Sequence, residues 1–161
     1  MGNNNPAFRS VVLLVKDVEK SKYFYNVVLG QKIMMDFGKN VGFEGGLAIW
    51  EQDYALNLIF QDKRQDIKVG ANNAEIYFET KDLENLYEKL VNEKAPIIHT
   101  IREQPWGQRV FRLYDPDDHI IEFAESMESV VLRLDKQGFS PKEITKKSEM
   151  PMDFIKMVLK K

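Results

Sequence analysis

The chain has 161 residues, a net charge of −2 and an apolar share of 43%, which suits one domain or two small modules with a shared core. It contains no cysteine, which excludes a disulfide scaffold, thiolate zinc, an iron–sulfur cluster and a cysteine nucleophile. It has no apolar run of the roughly 20 residues that a membrane helix needs, and its first residues do not resemble a signal peptide. We therefore expect a cytoplasmic protein with no membrane partner.

An internal repeat organises the chain. Residues 10–19 (SVVLLVKDVE) reappear 65 positions later as residues 75–84 (EIYFETKDLE). Each copy alternates like a strand and then reaches an aspartate, Asp17 or Asp82, of the kind that caps a helix. The first copy predicts a strand from residue 10, a helix over 18–29 and strands over 31–37, 47–50 and 55–60. The second predicts a strand from residue 75, a helix over 83–93 and strands over 97–102, 108–114 and 120–125.

These elements predict a first βαβββ module over residues 1–60, a polar linker over 61–73 and a second module over 74–125. Residues 126–161 form a C-terminal extension with an excess of lysine. Gly138 is placed to end one helix, and Ser140 with Pro141 to begin the next. We expect this helical extension to cap the domain, cover a pocket or mediate a dimer contact. Its lysines are scattered without an aromatic platform, so we do not expect nucleic acid as a partner.

The parity of the terminal strands predicts a pocket. One face of these strands is wholly apolar, while the other carries a polar group at four repeat-related positions: Ser10, Asn57, Glu75 and Glu122. A face that is apolar except for a few convergent polar groups is typical of a ligand site. The predicted fold is therefore α+β, with two βαβββ modules forming a curved mixed sheet around a cleft and helices outside.

Two segments, together with the repeat, resemble the vicinal oxygen chelate superfamily, which includes glyoxalase I, bleomycin resistance proteins and extradiol dioxygenases. They are residues 12–30 (VLLVKDVEKSKYFYNVVLG) and 104–123 (QPWGQRVFRLYDPDDHIIEF). The resemblance spans residues 8–125. This superfamily includes lyases, isomerases, oxygenases, thiol transferases and non-catalytic drug binders, so the resemblance implies a fold rather than one activity.

Members that use a metal carry their ligands on the first and last strand of each module, which implies Ser10, Asn57, Glu75 and Glu122 in this chain. Of these, Glu122 matches the usual residue and Glu75 is an acceptable oxygen donor, while the other two depart from the pattern. Since no imidazole or thiolate remains among the four, we expect no tightly bound transition metal and no other cofactor. Glu75 and Glu122 are candidates for weak binding of a divalent metal such as Mg²⁺, Mn²⁺ or Ca²⁺.

Glu75 and Glu122 have two interpretations. They are candidate catalytic residues, because one of two carboxylates that share a site can serve as a general acid or base. Alternatively, Arg112 on the neighbouring strand pairs with one or both of them. Arg112 is also suited to bind an anionic ligand in a bidentate manner. The predicted ligand-binding residues are Ser10, Asn57, Tyr77, Arg112, Tyr114 and Trp106.

The leading functional prediction is a homodimeric protein, similar to bleomycin resistance proteins, that binds a small organic ligand in the cleft without a tightly bound metal. One alternative is an enzyme, such as a divalent-metal-dependent lyase or isomerase of glyoxalase type or a dioxygenase-like member. Another is a regulatory or interaction protein that acts through its helical extension.

Overall fold

The computed structural model describes residues 6–61 and 70–160. The chain divides into two compact units. The first comprises the chain up to Ala71 together with Asp115–Asp118, and the second comprises Asn72–Tyr114 and His119–Lys161. Most of the predicted linker, residues 62–69, lies outside the described residues. No helix in the described ranges is both long and apolar enough to cross a membrane.

The first unit is built on a four-stranded mixed sheet. Its strands are β1 (Val11–Val15), β2 (Ile33–Asp36), β3 (Asn40–Phe43) and β4 (Leu47–Glu51). They lie in the order β1-β4-β3-β2, with β1 parallel to β4 and the other pairs antiparallel. Helix α1 (Val18–Lys22) continues as a π-helix (Tyr23–Val28), and α2 (Gln52–Phe60) follows β4. As predicted, Asp17 caps α1, since its carboxylate accepts a hydrogen bond of 3.0 Å from the Lys20 amide.

The predicted strand over 55–60 is wrong, because these residues belong to helix α2. The carboxylate of Glu51 caps this helix by accepting hydrogen bonds from the backbone amides of Asp53 and Tyr54. The alternation of apolar residues imitates a strand, but only Ala55 and Leu56 of this segment are fully buried. The third strand after the helix is therefore β4, and β3 is a strand that the sequence did not predict.

The second unit contains the other mixed sheet. Its elements are β5 (Glu75–Thr80), α3 (Leu83–Asn92), β6 (Ile97–Glu103), β7 (Arg109–Tyr114) and β8 (Ile120–Glu125). The strand order β5-β8-β7-β6 has β5 parallel to β8, which repeats the arrangement of the first unit. Asp82 caps α3, as predicted. The α+β class with two similar modules is thereby confirmed.

Three helices form the C-terminal extension, as predicted: α4 (Met127–Lys136), α5 (Pro141–Ser148) and α6 (Met152–Leu159). Ser140 and Glu143 form a reciprocal capping box at the start of α5, and Gly138 adopts a positive φ of 90° after α4. The three helices share an apolar cluster of buried side chains, which are Val130, Val131, Leu134, Ile144, Ile155 and Val158. The extension therefore has a core of its own.

The first unit includes a buried polar cluster around residues 115–118. The hydroxyl of Tyr25 donates to Asp115 over 2.7 Å, and the hydroxyl of Ser21 donates to Asp117 over 3.0 Å. Asp117 also accepts the backbone amide of Lys16. All four of the side chains in these hydroxyl–carboxylate pairs are buried, so each carboxylate relies on these donors in place of water.

We expect Tyr25→Phe to lower the free energy of unfolding by about 1.5–3 kcal/mol, because it removes a buried hydrogen bond to a charged group. Burial, and then the charge and hydrogen bond of Asp115, raise the pKa of Tyr25 well above 10.0. The contribution of Tyr25 to the free energy of unfolding is therefore present below pH 10. It is lost as the pH rises above 10, because Tyr25 then ionises in the unfolded protein but not in the folded one.

Urea unfolding of both proteins at neutral pH and above pH 10 tests this expectation. Tyr23→Phe is the matched control, because Tyr23 is 55% exposed. Equal losses from the two substitutions at neutral pH would contradict a special role for Tyr25.

Candidate functional site

Four side chains at matching positions form a row across all four strands of the second sheet. Tyr77 on β5 is in register with Glu122 on β8, Glu122 with Arg112 on β7, and Arg112 with His99 on β6. Directly opposed residues on one sheet face have Cβ atoms about 5 Å apart, so their side chains interact.

Arg112 is the centre of this row. Its Nε donates to Glu75 Oε2 over 2.9 Å, its Nη1 lies 3.3 Å from His99 Nε2, and its Nη2 forms an ion pair with Glu122. The expectation that Arg112 pairs with one or both carboxylates is confirmed, since it pairs with both. Glu122 is only 5% exposed, so its carboxylate needs a partner in place of water, and Arg112 is a charged one.

His99 is not among the residues that the sequence predicts at the site. The strand pairing shifts by one residue between Ile97 and His99, and this bulge places His99 opposite Arg112. His99 Nδ1 lies 2.8 Å from the carbonyl oxygen of Thr100. In the tautomer with its proton on Nδ1, His99 donates to this carbonyl oxygen and Nε2 accepts from Arg112.

A buried glutamine joins two of the predicted ligand residues. The amide nitrogen of Gln108 donates to the Tyr77 hydroxyl over 3.0 Å and to the Glu125 carbonyl over 2.7 Å. Its amide oxygen accepts the indole N–H of Trp106 over 2.9 Å. Sequence reasoning missed Gln108, although it shares the parity of Arg112 and so could have been found.

Tyr77 is a hydrogen-bonding phenol rather than a base. Burial raises its pKa, the hydrogen bond from Gln108 lowers it, and the hydrogen bond to Glu79 raises it, with a net rise above the usual value. Its hydroxyl donates to Glu79 over 2.9 Å. Tyr114, also predicted at the site, donates to Asn72 over 3.0 Å. Both phenols are thus oriented by neighbours of their own unit.

The strand pairing of the first unit corrects the predicted equivalence of Asn57. Val12 pairs with Ala48 in the same way that Tyr77 pairs with Glu122. Because Val12 and Tyr77 are repeat mates, the equivalent of Glu122 is Ala48. Asn57 lies exposed on helix α2 instead. The error follows from the strand assigned to residues 55–60.

A cavity of about 500 Å³ opens on the corresponding face of the first sheet. Its lining includes Ser10, Val12, Met34, Met35, Phe43 and Ala48. This volume lies within the usual range for small-molecule sites, roughly 300–1,000 Å³. Methionine side chains are flexible and polarisable, so they adapt to apolar ligands of different shapes.

The residues at the four repeat-related positions do not fit a tightly bound metal. Ser10 offers a hydroxyl and Ala48 no donor, while Glu75 and Glu122 are both engaged by Arg112. In the part of the chain that the structure describes, no group of three or more histidine, aspartate or glutamate residues is placed to hold a metal ion. A metal would have to displace a guanidinium from both carboxylates.

We expect Arg112→Met to lower the free energy of unfolding by about 3–5 kcal/mol, because it leaves Glu122 buried without its partner. The double variant Arg112→Met/Glu122→Gln should recover much of this loss, since no buried charge remains. Chemical denaturation of the four proteins in this double-mutant cycle provides the measurement. Additive effects of the two substitutions would contradict the pairing.

Three comparisons with known proteins agree with this architecture. A family model described as a glyoxalase-like domain matches residues 8–128. The chain is 28% identical over 109 residues to the metallothiol transferase FosB of Lysinibacillus sphaericus (strain C3-41), across 68% of this chain and 74% of that protein.

Two solved structures from Agrobacterium tumefaciens are similar in fold. A protein of unknown function from strain C58 is 38% identical, with a TM-score of 0.70 across 77% of this chain and 97% of that one. A lactoylglutathione lyase is 19% identical, with a TM-score of 0.58 across 76% of this chain and 95% of that one. The similarity to the lyase extends to the fold alone.

Proposed function

Because this chain belongs to the glyoxalase-like domain family, within the vicinal oxygen chelate superfamily, we propose that it binds a small organic ligand without a tightly bound metal ion. The observation that carries the proposal is the position of Arg112, whose guanidinium pairs with both Glu75 and Glu122. These are the two carboxylates at the positions that the resemblance implies for metal ligands. A guanidinium there supplies the positive charge that a divalent ion would otherwise supply.

The two sheet faces supply different chemistry for a ligand. The cavity that Met34 and Met35 line in the first unit suits an apolar group. The second sheet offers the exposed ring of Tyr77 and the half-exposed carboxylate of Glu75. Each face is therefore suited to a ligand group of its own chemistry, apolar on the first sheet and polar on the second. An anionic group would have to compete with Glu75 for Arg112.

Catalysis by Glu122 receives less support from the geometry. A general acid or base must reach the substrate proton within hydrogen-bond distance, whereas Glu122 is buried and paired with Arg112. Glu75 is the more accessible of the two carboxylates. A lyase or isomerase of glyoxalase type is therefore the alternative, and a homodimer in the cytoplasm stays a prediction.

A thermal-shift screen of small organic compounds, in buffer with and without EDTA, tests the proposed function. We expect stabilising compounds whose effect does not depend on EDTA; a ligand at 100 times its Kd stabilises by about 2.7 kcal/mol. Tyr77→Ala should weaken the binding of those compounds, measured by calorimetry. Tyr23→Ala is the matched control on an exposed tyrosine of the first unit.

One result would overturn the proposal in favour of the enzyme. It is stoichiometric metal in protein purified without chelator, together with lactoylglutathione formation that Glu122→Gln abolishes.

The metal state itself gives a separate prediction. We expect Arg112→Met to bind Mn²⁺ more tightly than the wild-type protein, because both carboxylates become available as oxygen ligands. Electron paramagnetic resonance of added Mn²⁺ measures the bound fraction. Arg102→Ala is the control, since Arg102 is an exposed arginine on β6. Tighter Mn²⁺ binding by the wild-type protein would show that Arg112 does not block the carboxylates.

A further inference from the structure

We propose that the C-terminal extension is a positioning element, in which Arg133 fixes the loop that carries Trp106 and, through Gln108, the hydroxyl of Tyr77. The inference rests on the proposed function in one respect, namely that Trp106 and Tyr77 contact the ligand. It assigns a role to a segment that lies almost wholly beyond the family match, which ends at residue 128.

Arg133 on α4 binds the sheet and the loop at the same time. Its Nε and Nη2 donate to the two carboxylate oxygens of Glu125, over 3.1 and 3.0 Å. The same Nη2 donates to the carbonyl oxygen of Gly107 in the loop between β6 and β7, and Nη1 lies 3.4 Å from Glu103. The guanidinium of Arg133 therefore connects α4 with the end of β8, with the end of β6 and with the loop that follows β6.

The ion pair between Arg133 and Glu125 depends on an ionised Glu125 carboxylate. Burial alone raises its pKa, but hydrogen bonds from Arg109 and Arg133 outweigh that effect, so the pKa lies below the usual range. Glu125 is therefore ionised at neutral pH. Arg109 approaches the same carboxylate from β7 and also pairs with Glu84 on α3.

A second side chain of the extension, Lys147, contacts the same loop. Lys147 on α5 lies 3.0 Å from Glu103, and its side chain packs over Gly107, where an added Cβ would come within 3.4 Å of Lys147 Cε. Gly107 also adopts a positive φ of 78°. The loop backbone is closed by hydrogen bonds between Gln104 and both Gly107 and Gln108.

The position of the loop affects the orientation of Trp106 and Tyr77, because both form hydrogen bonds with Gln108. Trp106 lies next to the carbonyl that Arg133 holds, and its indole donates to Gln108. Gln108 is buried and donates to Tyr77, whose ring is exposed. A displaced loop would change the partners of Gln108, and with them the orientation of both aromatic residues.

Trp106 fluorescence tests the proposal without any ligand. The chain has two tryptophans, so Trp50→Phe leaves Trp106 as the only tryptophan, which is excited selectively at wavelengths that tyrosine does not absorb. In that background we expect Arg133→Ala to shift the emission to longer wavelength and to raise acrylamide quenching about twofold, as a locally loosened loop exposes the indole. Arg133→Lys should give an intermediate emission shift, because lysine keeps a charged donor but lacks the planar set of N–H groups of a guanidinium.

Three controls separate local positioning from general loss of structure. Arg102→Ala removes an exposed arginine from β6 and should leave Trp106 emission unchanged. Trp50 emission, read in a Trp106→Phe background, should be unaffected by Arg133→Ala. Lys147→Ala keeps the Glu125 anchor and should shift Trp106 in the same direction by a smaller amount, which provides a folded variant if Arg133→Ala unfolds by circular dichroism.

Unchanged Trp106 emission in the folded variants would overturn the inference, as would an equal change in Trp50. Failure of the proposed function has a different signature: Trp106 responds to the variants, but no organic compound raises the melting temperature of the wild-type protein.

Discussion

The ion pair between Arg112 and the buried Glu122 is the interaction on which the second sheet's chemistry depends. A carboxylate at this depth is strongly unfavourable alone, so its position on β8 requires a partner in place of water, which here is a cation on a neighbouring strand. Arg112 meets that requirement and also reaches Glu75 and His99. The charged row of this face thus follows from one burial constraint, and its carboxylates are already occupied.

The sequence predicts the second module well because its local signals agree with one another. Strand alternation and the cap at Asp82 both indicate the elements that the structure contains. In the first module, the alternation in residues 55–60 misled, because a capping carboxylate at Glu51 starts a helix there. Side-chain caps of this kind are short-range interactions that strand periodicity does not register.

The candidate site divides in the same way. Parity placed Glu75 and Glu122 on one face, and their pairing with Arg112 is confirmed. His99 was missed because a bulge changes the register by one residue, and no composition signal marks that bulge. The equivalence of Ala48 and Glu122 could be recognised only from strand pairing. The periodicity of the sequence therefore predicted which sheet face a side chain occupies, whereas the pairing register of the strands determined which side chains contact one another.

The contacts of Arg133 and Lys147 with Gly107 restrict which residues this position can accept during evolution. Its backbone conformation favours glycine, and Lys147 and Leu134 lie where a larger residue would project. A homologue without α4 lacks Arg133, which binds both Glu125 and the carbonyl oxygen of Gly107. Natural variation at positions 107, 125, 133 and 147 should therefore be correlated, so that the domain and its appendage are inherited as a single evolutionary unit.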